Sequence, residues 1–206
     1  GRINLHYMIL ASMAIIGVMA LSTSRFAYID QKFGGDDSWL SLHRVNMLSV
    51  LYSQIALPLV AQIIGRISHG SKERRTYYAP ITVLEKSFAF TIMIVFGATA
   101  SYILLNKNVI PENLEAAMAV ITSAILFVLG ASLTFIFNAD ERRTFMQTIL
   151  KISHVGIFKI LSYSMMIQLG ILLSYTILGL QFLPDAPIMT LVGGFSIVIL
   201  ATSIPI

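Results

Sequence analysis

The chain contains no cysteine, which excludes disulfides, thiolate metal sites and cysteine nucleophiles. It is also poor in charge. Only 12% of its 206 residues are Asp, Glu, Lys or Arg, against about 25% in a soluble domain. The deficit is uneven, with charges gathered in a few short stretches and long uncharged runs between them. That pattern excludes an ordinary soluble domain and predicts a polytopic membrane protein. Enzyme signatures are missing as well. Gly34-Gly35 and Gly193-Gly194 lack the strand–turn–helix context of a nucleotide loop. His6, His43, His69 and His154 are scattered without metal-ligand spacing, and no Ser-His-Asp arrangement can be drawn. No catalytic residue, metal ligand or cofactor is assigned. No secretory signal is recognisable.

Basic residues are in modest excess, 14 Lys and Arg over 10 Asp and Glu. They flank hydrophobic runs, and the stretch around Lys72, Arg74 and Arg75 has no interleaved aromatics on which bases could stack. Nucleic acid is therefore not the expected partner. Positive loops held on the cytoplasmic side account for the excess. The chain opens on Gly1 and stops inside the apolar run 190–206, so it is expected to be part of a longer protein, cut at both ends.

What is present is apolar length. A spanning helix needs about 20 mostly apolar residues to cross about 30 Å of hydrocarbon. Five runs qualify, at 5–21, 88–105, 115–137, 160–180 and 188–206, and 45–67 is a sixth, irregular one. The expected fold is all-α, a polytopic transmembrane helix bundle of about five spans plus one broken or re-entrant helical segment. It forms a single transmembrane domain over 1–206. Basic residues crowd 66–86 and 138–159, whereas 106–114 has one Lys and 182–187 none. The first two regions are thus placed in the cytoplasm and the other two outside. Residues 138–159 read as a cytoplasmic amphipathic connector, either packed on the bundle or lying in the interface.

The irregular run carries Gln54, Pro58 and Gln62 and ends in Arg66. Buried amides and charges need partners that lipid cannot supply, so such a segment lines a cavity or packs inside protein. Arg25, Lys32 and Arg44 make the preceding stretch look cytoplasmic, which favours a segment that enters and returns over one that crosses. Pro58 suits the first turn of a helix. From there Gln62, Gly65, Arg66 and His69 share one face, and Val60, Ile63, Ile64 and Ile67 the opposite one. Arg66 is suited to a phosphate through its planar fork, or it is a cytoplasmic anchor snorkelling to headgroups. Glu85 opens the next apolar run. It is a partner for Arg66, for a substrate amine or for a proton, or a solvated acid at a helix start. Gln168, with Ser164 a turn before it, reads as a helix-packing amide, and Gly170 with Ser174 and Gly130 with Thr134 have small-xxx-small spacing.

In order and spacing these features resemble the lysylphosphatidylglycerol synthase transmembrane, or flippase-like, family. The resemblance rests on Ser24, Arg25 and Phe26 closing a span, then Ser53, Gln54, Leu57-Pro58, Gly65 and Arg66, then Val83, Leu84, Glu85 and Lys86, and finally Ser203, Ile204 and Pro205. The chain departs from the family pattern in having Leu59-Val60 after Leu-Pro, with Gln62 in the polar role, and Lys86 where Arg is usual. The resemblance implies a multi-pass protein of the bacterial inner (plasma) membrane that moves a charged or decorated lipid headgroup between leaflets. Its expected substrate-binding residues are Ser53, Gln54, Pro58, Gln62, Arg66, Glu85, Lys86, Ser203 and Pro205. The implied partner is a membrane lipid, either an anionic or aminoacylated phospholipid or a lipid-linked sugar, with a homo-oligomer as a further association. The alternatives are the membrane portion of a lipid-modifying aminoacyl or glycosyl transferase whose catalytic domain lies outside this chain, and a non-transporting subunit of a membrane complex.

Overall fold

A computed structural model describes residues 5–53, 58–70, 72, 75–106 and 152–202. Those residues form helices and their short connections, with no strand among them: α1 (Leu5–Lys32), α2 (Trp39–Tyr52), α3 (Pro58–His69), α4 (Arg75–Asn106), α5 (His154–Phe182) and α6 (Ile188–Thr202). Two of them, α1 and α5, are long and apolar enough to cross a membrane by length and composition. The expected span at 115–137, the connector residues 138–151 and the Gly130/Thr134 pair lie outside the described residues.

The helices run further than their apolar stretches. α1 continues through the polar residues after Leu21 to Lys32. It can do so because Thr23 and Ser24 turn their hydroxyls back onto the carbonyls of Met19 and Ala20, at 3.0 and 2.9 Å, and because Arg25 and Asp30 are buried. Arg25, read from the sequence as a cytoplasmic loop charge, is therefore a helix residue facing protein. In the same way α4 starts at Arg75, so Glu85 and Lys86 sit well inside it, with Pro80 also within the helix. The last residues of the expected connector, 154–159, form the first turns of α5, capped by Ser153, whose Oγ accepts from the Gly156 amide. α1 ends at Lys32, and two residues on Gly34, with φ of 77°, makes the left-handed turn that glycine adopts at no steric cost. Ser38 then caps α2 by accepting from the Ser41 amide.

α1 packs along α5, α2 along α3 and α4 along α6, with α4 also touching α1, α3 and α5. One apolar cluster ties four helices together: Phe26 and Ile29 of α1, Leu42 and Val45 of α2, Tyr78, Ile81 and Leu84 of α4, and Ile160 of α5. The α1–α5 seam is where the small-residue spacing acts. A Cβ on Gly170 would lie 2.6 Å from Val18 Cγ2, and Ser174 Oγ donates to Ala11 O at 3.2 Å. Gly170→Leu is expected to part these helices and lower the unfolding free energy by about 1–3 kcal/mol. Because the obstacle is a side chain, Val18→Ala in the same protein restores much of the loss. Thermal unfolding of the two variants in detergent checks both statements, and equal melting of G170L with and without V18A contradicts them.

Candidate functional site

α3 buries the polar face that its spacing defines except at its end, where His69 is exposed and lies 3.2 Å from Tyr52 Oη. Gln62, Gly65 and Arg66 are buried, whereas Val60 and Ile64 are 45% and 49% exposed. On α1, Thr23, Arg25 and Asp30 are buried alongside Phe26 and Ile29, and Leu5, Ile9, Met13 and Ile16 nearer its start are exposed. In water this arrangement is unfavourable on both faces. Against hydrocarbon the outer face costs nothing, and the inner one is stable only if each polar group finds a partner.

The partners come from five helices. On α4, Tyr78, Ile81, Thr82 and Glu85 repeat at helical spacing and are all buried, which aims Glu85 into the bundle. Its Oε1 accepts from Arg25 Nε of α1 at 3.1 Å, and its Oε2 accepts from Arg66 Nη1 of α3 at 2.5 Å. Arg66 Nη1 also donates to Thr82 Oγ1, at 2.9 Å, and Nη2 donates to Asn46 Oδ1 of α2, at 2.8 Å. Arg25 Nη1 donates to Ser164 Oγ of α5 at 2.8 Å. The Arg66 guanidinium carbon lies over the Phe26 ring, 4.0 Å from its centroid, a cation–π contact. Arg66 is 2% exposed and Glu85 1%. The cluster thus holds two guanidiniums and one carboxylate away from solvent. Among the described residues, Arg66 Nε is buried without a hydrogen-bond acceptor.

Asn46 extends the network toward the surface. With Oδ1 taken by Arg66, its Nδ2 donates to Ser22 Oγ and Thr23 Oγ1, at 3.2 and 3.3 Å. Thr23 Oγ1 is also 2.8 Å from His43 Nδ1. The Thr23 hydroxyl also lies 3.0 Å from Met19 O. The His43 ring stacks on Trp39 at 4.9 Å, and Trp39 Nε1 donates to Ser24 Oγ at 3.2 Å. A continuous polar chain therefore runs from half-buried His43 to the buried carboxylate.

Of the residues expected to bind substrate, the structure brings Arg66 and Glu85 together, with buried Gln62 on the same helix as Arg66. Two of the alternatives are corrected. Arg66 is no snorkelling anchor, and Glu85 is no solvated acid at a helix start, since both are enclosed and paired with each other. Lys86 is half-buried and joins neither ion pair of this cluster. Ser53 stands apart: it caps α2 and turns its hydroxyl onto Val50 O at 2.6 Å. Pro58 opens α3 as its first residue. Gln54, Ser203 and Pro205 lie outside the described residues.

Sequence reasoning did not assign Arg25, Asn46, Thr82 and Ser164 to the site. Arg25 was visible in the motif Ser24-Arg25-Phe26, and Ser164 one turn before Gln168. Asn46 and Thr82 carry no signal beyond being polar beside apolar runs. The arrangement can hold a charged group inside an apolar bundle, and among the described residues no group of acidic or histidine side chains is placed to hold a metal. Compared with protein-family models, curated proteins and solved structures, the chain matches none of them.

Proposed function

We propose that this chain is a lipid translocase-like module of a multi-pass membrane bundle, in which a charged headgroup passes along the polar seam while acyl chains stay in lipid. The observation that carries this reading is the inside-out α3, with Gln62 and Arg66 buried and Val60 and Ile64 exposed, feeding a shared ion cluster. Intramembrane ionisable groups are costly and mark pathways for charged species. The order of motifs that resembles the flippase-like family supports the same reading, as does the expectation of about five spans in a plasma membrane. The enclosed ion pairs favour a second reading, a structural membrane subunit, because every charge in the cluster already has a protein partner.

Reconstitution separates the two. Vesicles holding the protein are expected to move a fluorescent anionic phospholipid between leaflets faster than protein-free vesicles. Arg25→Lys and Arg66→Lys, which keep the charge and lose the fork, should slow that movement while the protein remains folded. Wild-type protein that leaves the rate unchanged, beside an active scramblase control, overturns the translocase reading and leaves the structural one.

A further inference from the structure

Histidine is the side chain that changes charge between about pH 5 and 8, and His43 stands at the outer end of the polar chain that leads to Arg66 and Glu85. Its half-buried ring is nearly parallel to that of Trp39, with centroids 4.9 Å apart and planes inclined by 8°. Trp39 is held in turn by Ser24 Oγ and is 44% exposed. The pair is therefore open on its outer side, while its inner edge rests on Thr23.

Thr23 Oγ1 has three polar neighbours of different kinds. Met19 O, at 3.0 Å, only accepts, and Asn46 Nδ2, at 3.3 Å, only donates. His43 Nδ1, at 2.8 Å, does either while the imidazole is neutral, but an imidazolium only donates. Protonation thus turns the Thr23 proton onto Met19 O and sets a charged donor against the Asn46 amide for one hydroxyl oxygen. Charge-assisted bonds are about twice as strong as neutral ones, so the amide yields and leans on Ser22 Oγ, its other acceptor at 3.2 Å. Asn46 is also the residue whose Oδ1 holds Arg66 Nη2.

The charges around His43 act in the same sense. α1 and α3 pack along α2. α1 turns Arg25 and Asp30 inward and leaves Lys32 exposed against Tyr28, and α3 brings Arg66, with His69 beside Tyr52 at the end of α2. Behind them, on α4, Glu85 and Lys86 both feel the two guanidiniums, Glu85 as attraction and Lys86 as repulsion. Arg44 on α2 is exposed, and Asp37 accepts from Tyr78 Oη. Among the described residues no carboxylate is ion-paired with His43. A proton on His43 adds a cation to the side of the bundle where Arg25, Arg66 and Lys86 already surround Glu85.

We propose that His43 is a proton-operated switch on the ion cluster: taking up a proton tightens its own hold on Thr23 and slackens the hold of Asn46 on Arg66. The two-state element is the Thr23 hydroxyl, whose proton points to His43 or to Met19 O. The switch does not depend on what the seam carries, and a structural subunit would own it as readily as a translocase.

Trp39 is the only tryptophan of the chain, so its fluorescence reads the pair directly, an imidazolium stacked on indole quenching it more than a neutral imidazole does. The detergent-solubilised protein is expected to lose Trp39 emission in one step as the pH falls from about 8 to 5, and His43→Gln to abolish the step. Thr23→Val keeps the shape and removes the acceptor of Nδ1–H. It should lower the midpoint by about one pH unit, a tenfold weaker hold on the proton. In protein labelled with nitrogen-15 arginine, the Arg66 Nε–H resonance should shift with the same midpoint and stand still in H43Q. Coupling is reciprocal, so Lys86→Gln, which removes a half-buried cation, should raise the midpoint. A Trp39 signal flat across the range, or a step that survives H43Q, overturns the switch. So does a T23V or K86Q midpoint equal to that of the wild type. An Arg66 resonance that ignores the step overturns it as well, and that measurement needs no substitution in the cluster.

Discussion

Glu85→Ala is expected to be among the most damaging single substitutions in the chain, costing about 3–5 kcal/mol of folding free energy. The carboxylate is the shared counterion of Arg25 and Arg66, and neither guanidinium can shed its proton to escape burial. Removing it leaves two cations enclosed by Phe26, Thr82, Asn46 and Ser164, none of which carries negative charge. Replacing the whole triad tells a different story. A protein with Arg25→Met, Arg66→Leu and Glu85→Leu together removes every buried charge and should melt near the wild type or above it, because paired charges seldom repay their desolvation. Chemical or thermal unfolding in one detergent measures both. If the single and triple variants are equally unstable, the cluster is not the unit of stability described above. If the triple variant is stable and still moves lipid, the charges are not the working part of the seam.

How much of this was legible before the structure depends on which question is asked. Arg66 and Glu85 stood out because each is a charge beside an apolar run, and the 3.6-residue period placed Gln62, Gly65 and Arg66 on one face. Periodicity defines two faces of α3 without saying which one is inside. The answer came from the neighbours, since α2 and α4 supply acceptors to the polar face. Arg25 was hidden for a different reason. Sequence reading ends a span where apolar residues end, yet hydroxyls such as those of Thr23 and Ser24 satisfy themselves on the preceding turn and let the helix continue. A charge counted as belonging to a loop was thus a charge inside the bundle, which also removes it from the topology argument for residues 22–44. Pairings across helices were not legible at all. Arg25 and Glu85 are 60 positions apart, and nothing local in either segment names the other. Ser53 is a site residue by motif order, and in the structure its hydroxyl donates to Val50 O at its own helix end.

Gly65→Ala is the second large effect expected, from a change of one methyl group. A Cβ at this position would fall 2.7 Å from the Cα of Ser49 and 3.1 Å from its Cβ. The nearest atom is backbone, so no rotamer change relieves it, and α2 and α3 must separate. Both contacts of interest lie on that interface: Asn46 is one turn before Ser49, and Arg66 follows Gly65, with Asn46 Oδ1 and Arg66 Nη2 at 2.8 Å. Separation of the helices by a few tenths of an ångström stretches this bond first and loosens the chain of contacts that leads to His43. The cost should reach about 1–3 kcal/mol, with Gly65→Val worse. The contrast with Gly170 sharpens the test. There the obstacle is the side chain of Val18, and trimming it helps; here Ser49→Gly removes the farther of the two obstacles and leaves the Cα in place, so G65A with S49G should melt little higher than G65A alone. Substantial recovery in that double variant would mean that the two helices meet through side chains, and that Asn46 is held against Arg66 by something other than the close approach at Gly65.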